Sequence, residues 1–288
     1  MRLRIRHQTS YDYGQPVRAA IQMLRMTPRS SEGLFVRRWR VEVDADARLH
    51  KGEDAFGNIT HTLFIDGPVE SVRVSIDGEV ETTDTNGLVR GAVERMPVRL
   101  YLRETRLTEP SQAMKSCARH LVASEGGNKL AALHALMTRL HASMRFSPGM
   151  TTSATPAAAA FEAGDGVCQD FAHIFVACAR SIGVPARYVG GYFLRTDSVE
   201  QDAGHAWAEA YLDDIGWIGF DPANGMCVTE RYCRVAVGLD YLDAAPVRGS
   251  RTGGGSEKLQ VQVQVQQVQK QTQQGQVQVQ QVRLAVDK

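Results

Sequence analysis

Two hydrophobic periodicities follow one another along this chain, and their order confines it to few fold classes. Over the first hundred residues apolar and polar positions alternate. Leu3 and Ile5 are flanked by Arg2, Arg4 and Arg6, and runs of the same kind occupy 39–43, 59–65 and 69–76. Period-two alternation marks strands with one buried face. Turn-forming residues separate the runs, at Asp54-Ala-Phe-Gly-Asn58, Asp66-Gly-Pro68 and Asp77-Gly78. An N-terminal antiparallel β domain is expected over residues 1–104.

From about Glu109 the apolar spacing changes to three and four. Residues 110–123 and 128–144 read as helices, the second with Leu130, Leu133, Leu136, Met137 and Leu140 on one face. Thr155-Pro156-Ala157 predicts a short helix with threonine as its cap and proline in its first position. An apolar helix is expected after Gly164-Asp-Gly-Val-Cys168, and strand-like runs return at 186–194, 205–212 and 217–221. Helices first and sheet afterwards make the class α+β, with a second unit over 105–250. Residues 248–256 read as a Gly-rich linker. Val and Gln then alternate over 259–268 and again over 275–282, which predicts one strand near 259–265 and a Gln/Val-rich low-complexity tail within 251–288.

Composition removes several classes of function. The 33 basic side chains are balanced by 32 acidic ones, a net charge of +1, which argues against nucleic acid or an anionic membrane surface as partner. No run approaches the roughly 18 consecutive apolar residues of a membrane span. The segment Met1-Arg-Leu-Arg-Ile-Arg-His lacks the apolar stretch of a secretion signal, so a soluble, cytoplasmic protein is expected. The five cysteines, at 117, 168, 178, 227 and 233, have neither the even count and density of a disulfide scaffold nor the paired spacing of a zinc site. They read as free thiols, and one of them stands apart.

Cys168 follows two glycines and opens a helix whose apolar face is Phe171, Ala172, Phe175, Val176 and Ala179. A first-turn thiol meets unpaired N–H groups and the positive end of the helix dipole, which favour a thiolate and an oxyanion formed beside it. A thiolate nucleophile needs an imidazole, and the imidazole needs an orienting acceptor. A hairpin turning at 213–216 brings His205 and Asp221 within a residue or two of facing each other, at a Cβ separation of about 5 Å if they share a face. An Nδ1–H to carboxylate bond is the expected contact. Cys168, His205 and Asp221 thus form a candidate nucleophile, base and orienter. His173, five residues beyond Cys168, points elsewhere on the helix and reads as packing. His134 and His141 lack zinc-helix spacing, and Trp207 and Trp217 read as core or cleft wall.

Gly-Val-Cys168-Gln-Asp-Phe-Ala-His, Gly183-Val-Pro-Ala-Arg-Tyr-Val-Gly-Gly-Tyr192, His205-Ala-Trp-Ala-Glu-Ala-Tyr and Gly216-Trp-Ile-Gly-Phe-Asp221-Pro-Ala-Asn together resemble the bacterial transglutaminase-like cysteine proteins. Tyr11-Asp-Tyr, Leu24-Arg-Met-Thr-Pro-Arg29 and Asp54-Ala-Phe-Gly-Asn58 resemble the β domain that precedes the core in that family. The resemblance spans roughly residues 1–265. It implies a papain-like core, a nucleophile helix packed on an antiparallel sheet, with Cys168, His205 and Asp221 as its catalytic triad. It implies acyl transfer through a thioester on a peptide, isopeptide or glutamine amide, with hydrolysis favoured over amine cross-linking. No cofactor or metal is implied, and no calcium-loop pattern of acidic ligands is present. The expected partner is a peptide or protein amide substrate, and relatives beside amide-ligase-like proteins suggest work in a peptide-modifying assembly. The competing reading is a catalytically inactive peptide- or partner-binding module of the same fold, which the reactivity of Cys168 distinguishes.

Overall fold

Alternation over the first eighty residues becomes four strands: β1 (Arg2–Thr27), β2 (Leu34–Asp44), β3 (Ala47–Glu53) and β4 (Ile59–Thr82). In the computed structural model, which describes residues 1–268, β4 pairs antiparallel with β1 on one edge and with β2 and β3 on the other. Leu3, Ile5, Leu63, Ile65, Val74 and Ile76 fill the buried face, as their period requires. The turns expected at Asp66-Gly-Pro68 and Asp77-Gly78 do not end a strand. Residues 73–81 are laddered on both edges, and Asp77 accepts hydrogen bonds from Arg4 at 2.9 Å and Arg38 at 3.0 Å. Pairing on two sides outweighs the local turn preference. The Asp66–Pro68 signal survives as a register shift opposite Val17 and Ala19.

A connecting stretch holds β5 (Leu88–Val89) and a 3-10 turn at Val98–Leu102. Helices α1 (Gln112–Ser124) and α2 (Lys129–Ser143) follow. Ser111 and Asn128 cap them, their side chains accepting from the Met114 and Ala131 N–H groups at 3.3 and 3.1 Å. Next come β6 (Arg145–Phe146), α3 (Ala157–Ala163), β7 (Asp165–Gly166) and α4 (Cys168–Ser181). Helix α3 starts one residue later than expected. Pro156 takes the cap position, and the Thr155 hydroxyl accepts the Thr152 N–H at 2.9 Å instead of capping.

The remaining elements are β8 (Ala186–Phe193), β9 (Glu200–Gln201), β10 (His205–Leu212), β11 (Gly216–Asp221), β12 (Met226–Cys227), β13 (Tyr232–Gly238), α5 (Tyr241–Ala244), β14 (Val247–Gly253) and β15 (Glu257–Gln267). The core sheet runs β12-β11-β10-β8-β13, antiparallel, with β5 added to β11. Ala208, Ala210, Ile218 and Phe220 face α4, where Phe171, Ile174, Phe175 and Cys178 are buried. The opposite face presents Val189, Phe193, Trp207, Tyr232 and Val237. This is the α+β arrangement of a helix packed on an antiparallel sheet.

The C-terminal strands return to the N-terminal sheet. Strands β14 and β15 lie end to end along the free edge of β1, and β9 joins the outer edge of β15. The interval read as a linker is therefore strand over Val247–Gly253, held by backbone pairing with β1. In β15, Val263 and Val265 are buried opposite His7 and Ile5, so the alternation has the same physical basis as in β1. The second Val/Gln repeat, 275–282, and the rest of the tail lie outside the described residues. Among the described residues no helix is long and apolar enough to cross a membrane.

Candidate active site

The head of α4 is built by its own flanking residues. Helix α3 closes on Gly164 in the left-handed conformation at φ 68°, and β7 pairs with β6. At Gly166 an added Cβ would lie 2.7 Å from the Asp170 Cβ, so only glycine lets the chain pass so close to the helix it is about to enter. Asp170, 1% exposed, accepts the Val167 N–H at 2.8 Å and the Thr151 hydroxyl at 2.6 Å on one carboxylate oxygen. Burial pushes its carboxyl up, and those two donors oppose the shift. The clamp fixes Cys168, half-buried, as the first residue of α4. That is where the sequence places it.

His205 opens β10 and Asp221 closes β11. Ala208 faces Phe220, and continuing that register puts Asp221 opposite Trp207, two residues from His205 and on the same face of the sheet. The pair is diagonal rather than directly opposite. The expected nitrogen is also corrected: His205 Nε2, not Nδ1, meets Asp221 Oδ2, at 2.6 Å. Cys168 is close enough to the same ring to bear on its charge. The three predicted residues are thus brought together. Burial works against a charge on His205, but Asp221 first and then Cys168 overcome it and raise its proton affinity. Asp221, fully buried, is held ionised by His205 and by hydrogen bonds from Asn224 and Tyr232 against the same burial penalty.

Two residues that complete this cluster were not singled out from the sequence. Asn224 Nδ2 donates to Asp221 Oδ2 at 2.7 Å and lies 3.3 Å from His205 Nε2. The Ala223 and Asn224 N–H groups bond Asp221 Oδ1 at 3.0 and 3.2 Å. The Asp-Pro-Ala-Asn order is the signal for such a turn, since a short acidic side chain there caps the following backbone. Tyr232, on β13, donates its hydroxyl to Asp221 Oδ2 at 2.8 Å, and no local pattern announces it. Phe193, Trp207 and Tyr232 wall the imidazole, with ring centroids 5.3, 6.2 and 6.1 Å away.

The other histidines stay outside this cluster. His173 is fully buried, and its Nε2 accepts the Tyr241 N–H at 3.0 Å. His141 Nδ1 bonds the Ala223 carbonyl at 3.1 Å, and His134 packs edge-on against Phe220. Among the described residues no group of three or more His, Cys, Asp or Glu side chains is placed to hold a metal ion.

Comparison with known proteins agrees with the architecture. Residues 115–222 match the transglutaminase-like superfamily core, and residues 3–81 match the bacterial transglutaminase-like N-terminal region. The chain is 29% identical over 279 residues to an uncharacterized protein of Mycobacterium leprae, covering 92% of this chain and 98% of that one. An uncharacterized protein of Mycobacterium tuberculosis is 29% identical over 273 residues, 86% of this chain and 87% of its own length. A crystal structure from Cytophaga hutchinsonii, described as a candidate cysteine protease, superposes with a TM-score of 0.73 at 20% identity, over 92% of this chain and 90% of that one. The likeness to that structure is one of fold. With its N-terminal β region, its helix-on-sheet core and both family matches in chain order, this chain belongs to the transglutaminase-like superfamily, whose fold serves cysteine-dependent acyl transfer.

Proposed function

We propose that the protein is a cysteine-dependent acyltransferase acting on amides of peptides or proteins, with water as the usual acceptor. The observation that carries this reading is the His205–Asp221 bond at 2.6 Å through Nε2, beside a cysteine at a helix N-terminus. In it Cys168 is the nucleophile, His205 the proton carrier and Asp221 the orienter.

The chemistry follows from the placement. The Cys168 thiolate adds to the amide carbonyl, and the oxyanion forms beside the N–H groups of the first turn of α4. His205 gives its proton to the leaving amine as the C–N bond breaks, which leaves a thioester on Cys168. The neutral imidazole then takes a proton from water, the hydroxide oxygen bonds the acyl carbon, and the C–S bond breaks, which restores the Cys168 thiolate beside protonated His205. An amine in place of that water would give transamidation by the same steps. Asp221 stays ionised throughout and keeps the ring in one tautomer.

The test is a screen of peptide, isopeptide and glutamine amides with and without added primary amine, read by mass spectrometry. The reading expects hydrolysed product that depends on Cys168 and persists when amine is present. Predominant amine adduct would make the enzyme a cross-linker. No turnover of any amide, with an unreactive Cys168, would favour the binding-module reading.

A further inference from the structure

Asp221 receives more hydrogen bonds than the orientation of one imidazole requires. Oδ2 accepts from His205 at 2.6 Å, Asn224 Nδ2 at 2.7 Å and the Tyr232 hydroxyl at 2.8 Å. Asn224 belongs to the same turn as Asp221, so its contact comes with the local backbone. Tyr232 comes from β13, at the far edge of the core sheet from β11. It is 4% exposed, with its ring 4.5 Å from Phe193 and 5.3 Å from Trp207. Arg231, next to it, lies over the Phe193 ring at 4.6 Å and donates to the Leu194 carbonyl at 2.7 Å. The phenol is therefore held rigidly, with its hydrogen aimed at the carboxylate.

A buried carboxylate beside an imidazole strengthens the hold of the ring on its proton, because low dielectric magnifies their attraction. That helps to form a thiolate–imidazolium pair. It hinders the next step, since an imidazolium that keeps its proton too well is a poor acid toward a leaving amine. A hydroxyl dipole whose positive end points at Oδ2 weakens the negative potential that the ring feels. The groups facing His205 are Cys168 from α4, Asp221 and Asn224 from β11 and its turn, Phe193 from β8, Trp207 from its own strand and Tyr232 from β13. Arg231 packs over the Phe193 ring, which itself lies 5.3 Å from the His205 ring.

We propose that Tyr232 is a positioning residue that, through its hydroxyl on Asp221, limits how tightly His205 holds the proton destined for the leaving amine. The inference rests on the triad reading above, and its test separates the two.

The experiment is the NMR titration of His205 in the full chain labelled with 15N-histidine, carrying Cys168→Ser so that no thiolate couples to the ring. Tyr232→Phe removes the hydroxyl and keeps the ring. The expected result is a His205 titration point higher by about half a unit, roughly a threefold gain in proton affinity. Incorporating 3-fluorotyrosine at position 232 strengthens the donor without altering the packing, and it should move the point down. This variant decides the matter if Tyr232→Phe does not fold. A titration point that is unchanged or lower in Tyr232→Phe, or unchanged or higher with the fluorinated residue, overturns the proposal. Asp221→Asn is the reference. If it leaves His205 unshifted, the triad reading fails. If it lowers the titration point while the Tyr232 replacements do nothing, only this inference fails.

Discussion

The Asn58 side chain is bound to both backbone groups of Val237: its Nδ2 donates to the Val237 carbonyl at 2.7 Å, and its Oδ1 accepts the Val237 N–H at 2.8 Å. Asn58 closes the turn before β4, and Val237 lies in β13, so one amide imitates a strand neighbour and joins the N-terminal sheet to the core. Asp54 holds that turn, accepting the Phe56 and Asn58 N–H groups at 3.0 and 3.1 Å and Arg25 at 2.7 Å. Asn58→Ala leaves two buried backbone groups without partners, at about 1–3 kcal/mol each. Urea unfolding should show the midpoint lowered accordingly. A change below about 0.5 kcal/mol, the range of an indifferent surface substitution, would contradict this role.

Beneath the core sheet lies an ion network whose centre, Arg187 with Glu209, is buried and whose outer member, Glu94, is exposed. Arg187 is fully buried, donating to Glu209 at 2.6 Å and to Glu94 at 2.7 and 3.0 Å, and its guanidinium lies 3.8 Å from the Trp217 ring. Arg234 donates to Glu209 from the other side at 2.8 Å. Burial tends to raise the Glu209 carboxyl, but Arg234 and Arg187 overcome that and hold it well below the usual carboxylate range. Its contribution is therefore present above the ordinary value of 4.5 and is lost as pH falls below it. Glu209→Gln at neutral pH removes one partner from buried charges and should cost about 3–5 kcal/mol. Calorimetry that finds the variant as stable as wild type would refute the network.

Two histidines buried in neutral form should make the protein sensitive to mild acid. Burial lowers both His7 and His173 from 6.5 to about 4. His7 bonds the Tyr192 and Thr9 hydroxyls at 2.9 Å, between β1 and β8. The unfolded chain takes up protons below pH 6.5 and the native state does not. Stability is therefore full above that pH and falls toward pH 4, by about 1.4 kcal/mol per unit for each histidine. Unfolding at pH 7, 6 and 5 should show the decline, and His7→Gln should flatten part of it. An identical slope in the variant would remove His7 from the explanation.

Gly166→Ala tests the tight entry to α4. The new Cβ would meet the Asp170 Cβ at 2.7 Å, too close for backbone and helix to keep their positions. We expect a folded protein in which Cys168 is displaced and loses any labelling advantage over Cys117. Retained selectivity would show that the head of the helix tolerates the shift.

The parts legible in the sequence are those set by neighbours along the chain. Two glycines before Cys168, the apolar stripe of α4 and the 213–216 turn place Cys168 at the head of its helix and bring His205 beside Asp221 without reference to distant residues. What stayed hidden comes from contacts between separated strands. Tyr232 reaches Asp221 across the sheet, Asn58 reaches Val237 over 179 positions, and Glu94 reaches Arg187 over 93. None of these leaves a periodic trace. The choice between Nδ1 and Nε2 of His205 was equally out of reach, because strand register fixes which residues are neighbours and not how the ring is turned. The turns wrongly expected in β4 show the converse, where partners on both edges override a local signal.

The central claim is that Cys168 and His205 act as a pair. The pH dependence of iodoacetamide labelling at each cysteine, followed by mass spectrometry in wild type and His205→Ala, tests it most directly. The account predicts that Cys168 labels faster than the other cysteines, and that the substitution removes that advantage. A Cys168 no more reactive than Cys117 or Cys227, and indifferent to His205, would contradict it.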